Sequence, residues 1–132
     1  MFKTGVASEM GYGLTKLVGV NTLWTLTGVS IAMAILLSEV ASNTASANMI
    51  IPVVIALAQA ADVSPLPPAL GACLGASFGF MMPVSTPPNA IVYGSGLIPL
   101  SKMITAGILF DILGFFIIWA GLYILCSLLG LI

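Results

Sequence analysis

Charge is what this chain lacks most. Its 132 residues include three basic and four acidic side chains, 5% of the sequence. A soluble domain carries about 25% charged residues. Seven charges cannot cover the surface of a soluble fold this long, and 60% of the residues are hydrophobic, with a mean hydropathy of +1.21. The class is an integral membrane protein. Histidine is absent, which removes the commonest proton shuttle and metal ligand. With no histidine, no candidate acid pair and no activated nucleophile, an enzyme is not expected. A net charge of −1 without a basic patch argues against nucleic acid as a partner. The two cysteines, Cys73 and Cys126, lie far apart in apolar runs and read as small packing residues, not as a disulfide or metal site. No secretory signal is expected at the start, which lacks a basic region followed by an apolar one. Lys3, Lys16 and Lys102 are too few for the positive-inside rule to give an orientation.

Apolar stretches of helix length fill most of what remains. Residues 1–19 hold Lys3, Glu9 and Lys16, with Phe2, Val6, Met10, Leu14 and Leu17 at roughly helical spacing. That pattern predicts an amphipathic, interfacial segment. Residues 20–61 form two apolar arms around a small polar cluster, with a tip near 42–44. Pro65, Pro67 and Pro68 mark the next loop or helix start. Residues 66–98 predict a broken helix, rich in small residues before Pro83, with its break near 83–87. Small residues let helix backbones approach closely. Residues 102–132 predict a terminal spanning helix, long enough for a hydrocarbon core of ~30 Å. The fold class is therefore all-α integral membrane: a re-entrant helical hairpin, a broken transmembrane helix and a terminal transmembrane helix.

The two polar interruptions carry the chemistry. Ser42-Asn43-Thr44 stands between Ile31–Leu37 and Met49–Ile55, and Ser85-Thr86-Pro87-Pro88-Asn89 interrupts a second apolar run. Hydroxyls and amides in hydrocarbon are costly unless partnered. Lipid-exposed irregular backbone is not tolerated at depth, so both breaks must face protein or water. A helix starting near Thr44 would aim its free N–H groups and positive dipole end at the tip, suiting an anionic group. The arm ending near Ala41 leaves carbonyls that suit a hard cation. The second break repeats this, with carbonyls near Pro83, Val84 and Ser85 and the hydroxyl of Thr86. Paired broken helices of this kind make binding sites in transporters. Glu39 is the one acid inside the hairpin. It reads either as a group attracting a cation or coupling a proton, or as a solvated residue at a wet tip. Asp111, near the start of the last helix, reads either as a functional acid or as an interfacial residue, with the interface favoured.

Ser42-Asn43-Thr44-Ala45 followed by Pro52, and Met82-Pro83-Val84-Ser85-Thr86-Pro87-Pro88-Asn89-Ala90-Ile91-Val92 behind it, resemble the C-terminal half of the divalent anion/sodium symporter family, over about residues 5–130. That family includes sodium-coupled dicarboxylate and citrate transporters. The resemblance implies secondary active transport of a succinate-, malate- or citrate-like di- or tricarboxylate, with Na⁺ as coupling ion. It implies an inverted-repeat elevator transporter, usually a homodimer, multi-pass in the cell (inner or plasma) membrane. By matching motifs, Asn43, Thr44, Thr86 and Pro87 would contact substrate. Ser38, Ala41, Asn43 and Ser85 would hold sodium, largely through carbonyls. Members often have Thr where this chain has Ser38 and Ala where it has Ser85; both swaps keep a carbonyl. One triplet and one broken helix amount to roughly the last third of a member, so the missing N-terminal part is an expected partner, beside lipid and substrate. The alternatives are transport of sulfate or another anion on the same scaffold, and a non-transporting accessory membrane subunit or fragment.

Overall fold

A computed structural model describes residues 23–131, and the amphipathic segment expected over 1–19 lies outside them. Among the described residues the fold is all-helical. The helices are α1 (Leu23–Val40), α2 (Asn43–Ala60), α3 (Leu66–Gly75), α4 (Pro87–Gly94) and α5 (Leu100–Leu129). Three of them, α1, α2 and α5, are long and apolar enough to cross a membrane. At 1.5 Å per residue, α5 is about 45 Å long, more than a ~30 Å hydrocarbon core requires.

The helix α1 sits at the centre, packed against α2, α3 and α5. Its Ala34 joins Ile50 and Val54 of α2 and Ala72 of α3, with Ala76 just beyond. Its Ile31 and Ile35 meet Ile118 and Leu122 of α5. Close approach of α3 depends on two glycines. A Cβ on Gly75 would lie 2.9 Å from the Ile31 carbonyl oxygen, and one on Gly71 would lie 2.9 Å from Ile31 Cγ1. Two polar residues of α1 satisfy themselves: Thr27 donates to the Leu23 carbonyl at 2.8 Å and Ser30 to that of Leu26 at 2.7 Å. Such i−4 bonds remove the cost of a hydroxyl in an apolar helix.

Several features follow local rules. Pro67 and Pro68 fall at the start of α3 and Pro87 and Pro88 at the start of α4, where the missing N–H has no helical partner to lose. Pro52 lies inside α2 and leaves the carbonyl four residues earlier without its helical donor. Gly130 closes α5 at φ 62°, and Asp62 takes φ 55° just after α2, a backbone state that Asp tolerates. Cys73 is exposed and Cys126 buried, and both are free.

The small-residue helix was expected to continue to Pro83, but α3 stops at Gly75. The chain then runs without a regular helix until Pro87, and its backbone groups find partners outside any helix ladder.

Candidate functional site

The first break is short and supplies its own partners. α1 ends at Val40, where the Ala41 N–H still reaches the Leu37 carbonyl at 3.0 Å. Ser42 is the N-cap of α2, in extended backbone, and its Oγ accepts from the Ala45 N–H at 3.2 Å. The Ser42 carbonyl accepts from the Ser46 N–H at 2.9 Å. The helix thus begins at Asn43, one residue before the expected Thr44, because Ser42 satisfies one of the spare N–H donors.

The second break is long and borrows its partners. After Gly75 the Ser77 and Phe78 N–H groups turn back to the Leu74 and Gly75 carbonyls, each at 3.0 Å. The next three donors go to Glu39. Phe80 N–H donates to Oε1 at 2.9 Å, Met81 N–H to Oε1 at 3.2 Å and Oε2 at 3.0 Å, and Met82 N–H to Oε2 at 3.0 Å. Ser85 Oγ donates to the Glu39 carbonyl at 2.8 Å and lies 3.1 Å from Oε2. Ser38 Oγ donates to the Phe78 carbonyl and, at 2.8 Å, to that of Ile35. Asn89 of α4 donates to the Gly79 carbonyl at 2.7 Å and the Met82 carbonyl at 3.1 Å. Unwound backbone inside a membrane protein must find such partners, because hydrocarbon offers none.

Glu39 is therefore neither solvated nor free to act as an open acid. It is 3% exposed, and its two oxygens are occupied by a cradle of successive backbone N–H groups, an anion-binding arrangement. The reading of Glu39 as a solvated tip residue is corrected by its burial. Asp111 is buried as well. It is 7% exposed and belongs to the buried stripe Met103, Gly107, Asp111, Gly114, Ile118, Leu122 and Cys126 of α5. Gly107 packs on Met81 and Gly114 on the Phe78 ring, so this stripe of α5 lies along the unwound segment. Both oxygens of the Asp111 carboxyl are buried without a hydrogen-bond partner. Two acids, Glu39 and Asp111, are thus buried although they stand far apart in the chain.

The two breaks meet at Gly79. A Cβ there would lie 3.0 Å from Ser85 Cβ, 3.1 Å from the Ser38 carbonyl oxygen and 3.3 Å from Asn43 Oδ1. Only a glycine leaves that space open. Asn43 Nδ2 lies 3.4 Å from the Ser77 carbonyl, while Asn43 Oδ1 is buried without a hydrogen-bond partner. Of the expected sodium ligands, Ser38, Asn43 and Ser85 come together here. Ala41 is half-buried, at the end of α1. Of the expected substrate contacts, Asn43 faces this junction. Thr44 is exposed in the first turn of α2, and Pro87 is exposed at the start of α4. Thr86 is the N-cap of α4, with φ −142° and a side chain that makes no cap bond. Three residues escaped the sequence reading: Ser42 as a cap, Gly79 as the open corner, and Ser46, whose buried Oγ has no hydrogen-bond partner. Ser42 had a signal, a serine followed by an apolar-periodic stretch. Gly79 had none, because only the fold shows what stands around it.

Apolar helices interrupted by two breaks, which meet beside the unpartnered Asn43 Oδ1, define a multi-pass membrane protein with a built-in polar junction. The signature of the sodium:sulfate symporter transmembrane region matches residues 2–131, and this chain belongs to that family. The sodium-dependent dicarboxylate transporter SdcS of Staphylococcus saprophyticus is 37% identical over 123 residues, 93% of this chain and 24% of the relative. Solute carrier family 13 member 1 of Rattus norvegicus is 36% identical over 120 residues, 91% of this chain and 20% of the relative. The sodium-dependent high-affinity dicarboxylate transporter 3 of Caenorhabditis elegans is 41% identical over 85 residues, 64% of this chain and 15% of the relative. The chain spans no more than about a quarter of the length of these relatives. Membership and the three apolar helices make it a multi-pass protein of the plasma membrane.

Proposed function

We propose that this chain is the C-terminal transport-domain portion of a sodium-coupled symporter for a di- or tricarboxylate. The observation that carries the reading is the junction at Gly79. There the Ser38 carbonyl and the partnerless Asn43 Oδ1 surround a space that a Cβ would fill. A buried acceptor with no donor is costly, and oxygen acceptors around an open corner fit a hard cation. Ser38, Ala41, Asn43 and Ser85 would hold sodium there, which would supply the positive charge that these four residues do not. The free N–H ends of α2 and α4, with Asn43, Thr44, Thr86 and Pro87 beside them, would receive the carboxylates of substrate. Sodium and a dianion at adjoining positions raise each other's affinity, which is the coupling a symporter needs.

The same reading takes residues 20–61 as a re-entrant hairpin, residues 66–98 as one broken helix and residues 102–132 as the terminal transmembrane helix. In the complete protein these would form one inverted repeat of an elevator-type transport domain, usually in a homodimer. The names of two relatives, both sodium-dependent dicarboxylate transporters, favour a carboxylate over sulfate, although the family description names sulfate. Helix N-termini receive either oxyanion.

The test is uptake of labelled succinate into proteoliposomes under an inward sodium gradient, with the missing N-terminal part present. Asn43→Ala and Thr86→Ala are each expected to lower apparent affinity about tenfold or more, the loss of one hydrogen bond to a charged group. Native uptake in both variants sinks the site assignment. Equal uptake in choline and sodium sinks sodium coupling, and stronger competition by sulfate than by succinate moves the substrate to sulfate.

A further inference from the structure

We infer that the groove between α4 and the start of α5 holds one anionic phospholipid, with its phosphate on Lys102 and an acyl chain running to Phe110. This goes beyond the junction at Gly79 and depends on no choice of coupling ion or transported substrate.

The groove has a volume of about 260 Å³ and is lined on α5 by Lys102, Met103, Ala106 and Phe110, with Val92 of α4 and Ile98 of the connecting loop. From Lys102 to Phe110 is about 12 Å along the helix axis. Pockets for compact solutes run ~300–1,000 Å³ and enclose most of the ligand. A smaller, open and mostly apolar trough of this length suits a single hydrocarbon chain. Asn89 also lines it, but its amide already donates to the Gly79 and Met82 carbonyls. Lys102 is therefore the lining group left to meet a charge. Phe80 stands at the inner wall, and its N–H donates to Glu39. A chain in the groove would thus brace the unwound segment from the side away from α1.

Charge decides what kind of lipid. Lys102 is the one basic residue among the described residues, and it is exposed. It makes no ion pair among them. Glu39 and Asp111 are buried, and Asp62 lies at the opposite end of the bundle. There the start of α1 meets the far part of α5, with the Trp24 and Tyr123 rings 4.8 Å apart. Leu26 of α1 packs in the same region on Leu57 and Ala58 of α2, with Val63 beside them. Around Lys102 the exposed residues are apolar: Leu97 at 86%, with Tyr93, Ile98 and Leu100. An unpaired lysine in such a setting keeps its stem on hydrocarbon and its ammonium at the headgroup level, where it attracts anionic lipid. A soluble anion would gain the charge but not the groove. A lipid without net charge would gain the groove but not the charge.

Native mass spectrometry of the detergent-purified chain, with the missing N-terminal part present, tests this. The protein is titrated with phosphatidylglycerol or with phosphatidylcholine of the same acyl chains. One phosphatidylglycerol is expected to be retained in preference to phosphatidylcholine. Lys102→Gln, at an exposed position, should weaken phosphatidylglycerol about fivefold, as one lysine contributes at an anionic surface, and leave phosphatidylcholine nearly unchanged. Ala106→Trp keeps the lysine and fills the groove, and should weaken both lipids. Equal retention of the two lipids by the wild type overturns the inference, as does phosphatidylglycerol binding that neither variant alters. Glycerol phosphate bound as tightly as the lipid also overturns it, because the groove would then contribute nothing. So does the absence of any retained lipid, the result expected if another part of the transporter fills the groove.

Discussion

The two breaks in this chain solve the same problem by opposite means. At the first, two residues separate α1 from α2, and Ser42 caps the new helix from within the turn. At the second, eleven residues separate α3 from α4 (76–86), and the backbone donors of three of them end on a glutamate of α1. A tight break can be written locally, because one side chain satisfies the spare donors of one helix end. A long break cannot, and here its shape is held by a distant side chain. The first break is thus a property of its own sequence, and the second is a property of the first helix. Whatever moves α1 moves both halves of the junction together.

The strongest way to break that comparison is Glu39→Ala. It would leave the part-buried N–H groups of Phe80, Met81 and Met82 without their acceptor. A fully buried orphaned donor costs ~1–3 kcal/mol, so three part-buried ones together are expected to cost about 3 kcal/mol in thermal unfolding of the lipid-embedded protein. Hydrogen exchange should localise it, with the amides of 80–82 losing protection and those of 43–46 keeping theirs. Native protection at 80–82 would show that the segment holds its shape without Glu39. Glu39→Gln keeps one acceptor oxygen and should fall between the two.

A smaller effect is expected at the meeting point. Gly79→Ala puts a methyl group within 3.1 Å of the Ser38 carbonyl oxygen and 3.0 Å of Ser85 Cβ, an overpacking cost of ~1–3 kcal/mol. Because it fills the open corner, it should also remove any stabilisation by sodium, read as the melting-temperature difference between sodium and choline buffers. Gly121 of α5 is the control. A Cβ there meets nothing within 4 Å, and Gly121→Ala should stabilise by ~0.5–1 kcal/mol, as an alanine does inside a helix. Equal responses at the two glycines would show that the corner at Gly79 is not tight.

What was legible in the sequence divides along the same line. The apolar arms, the polar tip and the small-residue face of α3 all follow from local pattern. Hydrophobicity, capping and glycine spacing act within a few residues of where they are written. The end of α3 at Gly75, the burial of Asp111 and the cradle around Glu39 were not legible. Each depends on a contact across many residues, which no window of sequence contains. The motif residues fared in between. Ser38, Asn43 and Ser85 converge because α1 and the unwound segment are tied at Ser38 and Glu39. Thr44 and Pro87 instead lie exposed in the first turns of α2 and α4.

The smallest effect sharpens the comparison from the other side. Ser42→Ala removes the hydroxyl that accepts from the Ala45 N–H, and loss of an N-cap costs about 1 kcal/mol. The donors freed are at an exposed helix end, where water replaces part of what is lost. If the first break is self-contained, exchange should quicken at the amides of 44–46 and nowhere in 80–82. Quickened exchange in both segments would mean that the tip of α2 also braces the second break, through Asn43 and the Ser77 carbonyl. The contact between those two is 3.4 Å long, near the outer limit for an N–H···O bond. It is too weak to transmit the loss of a cap, so the expected outcome is a local one.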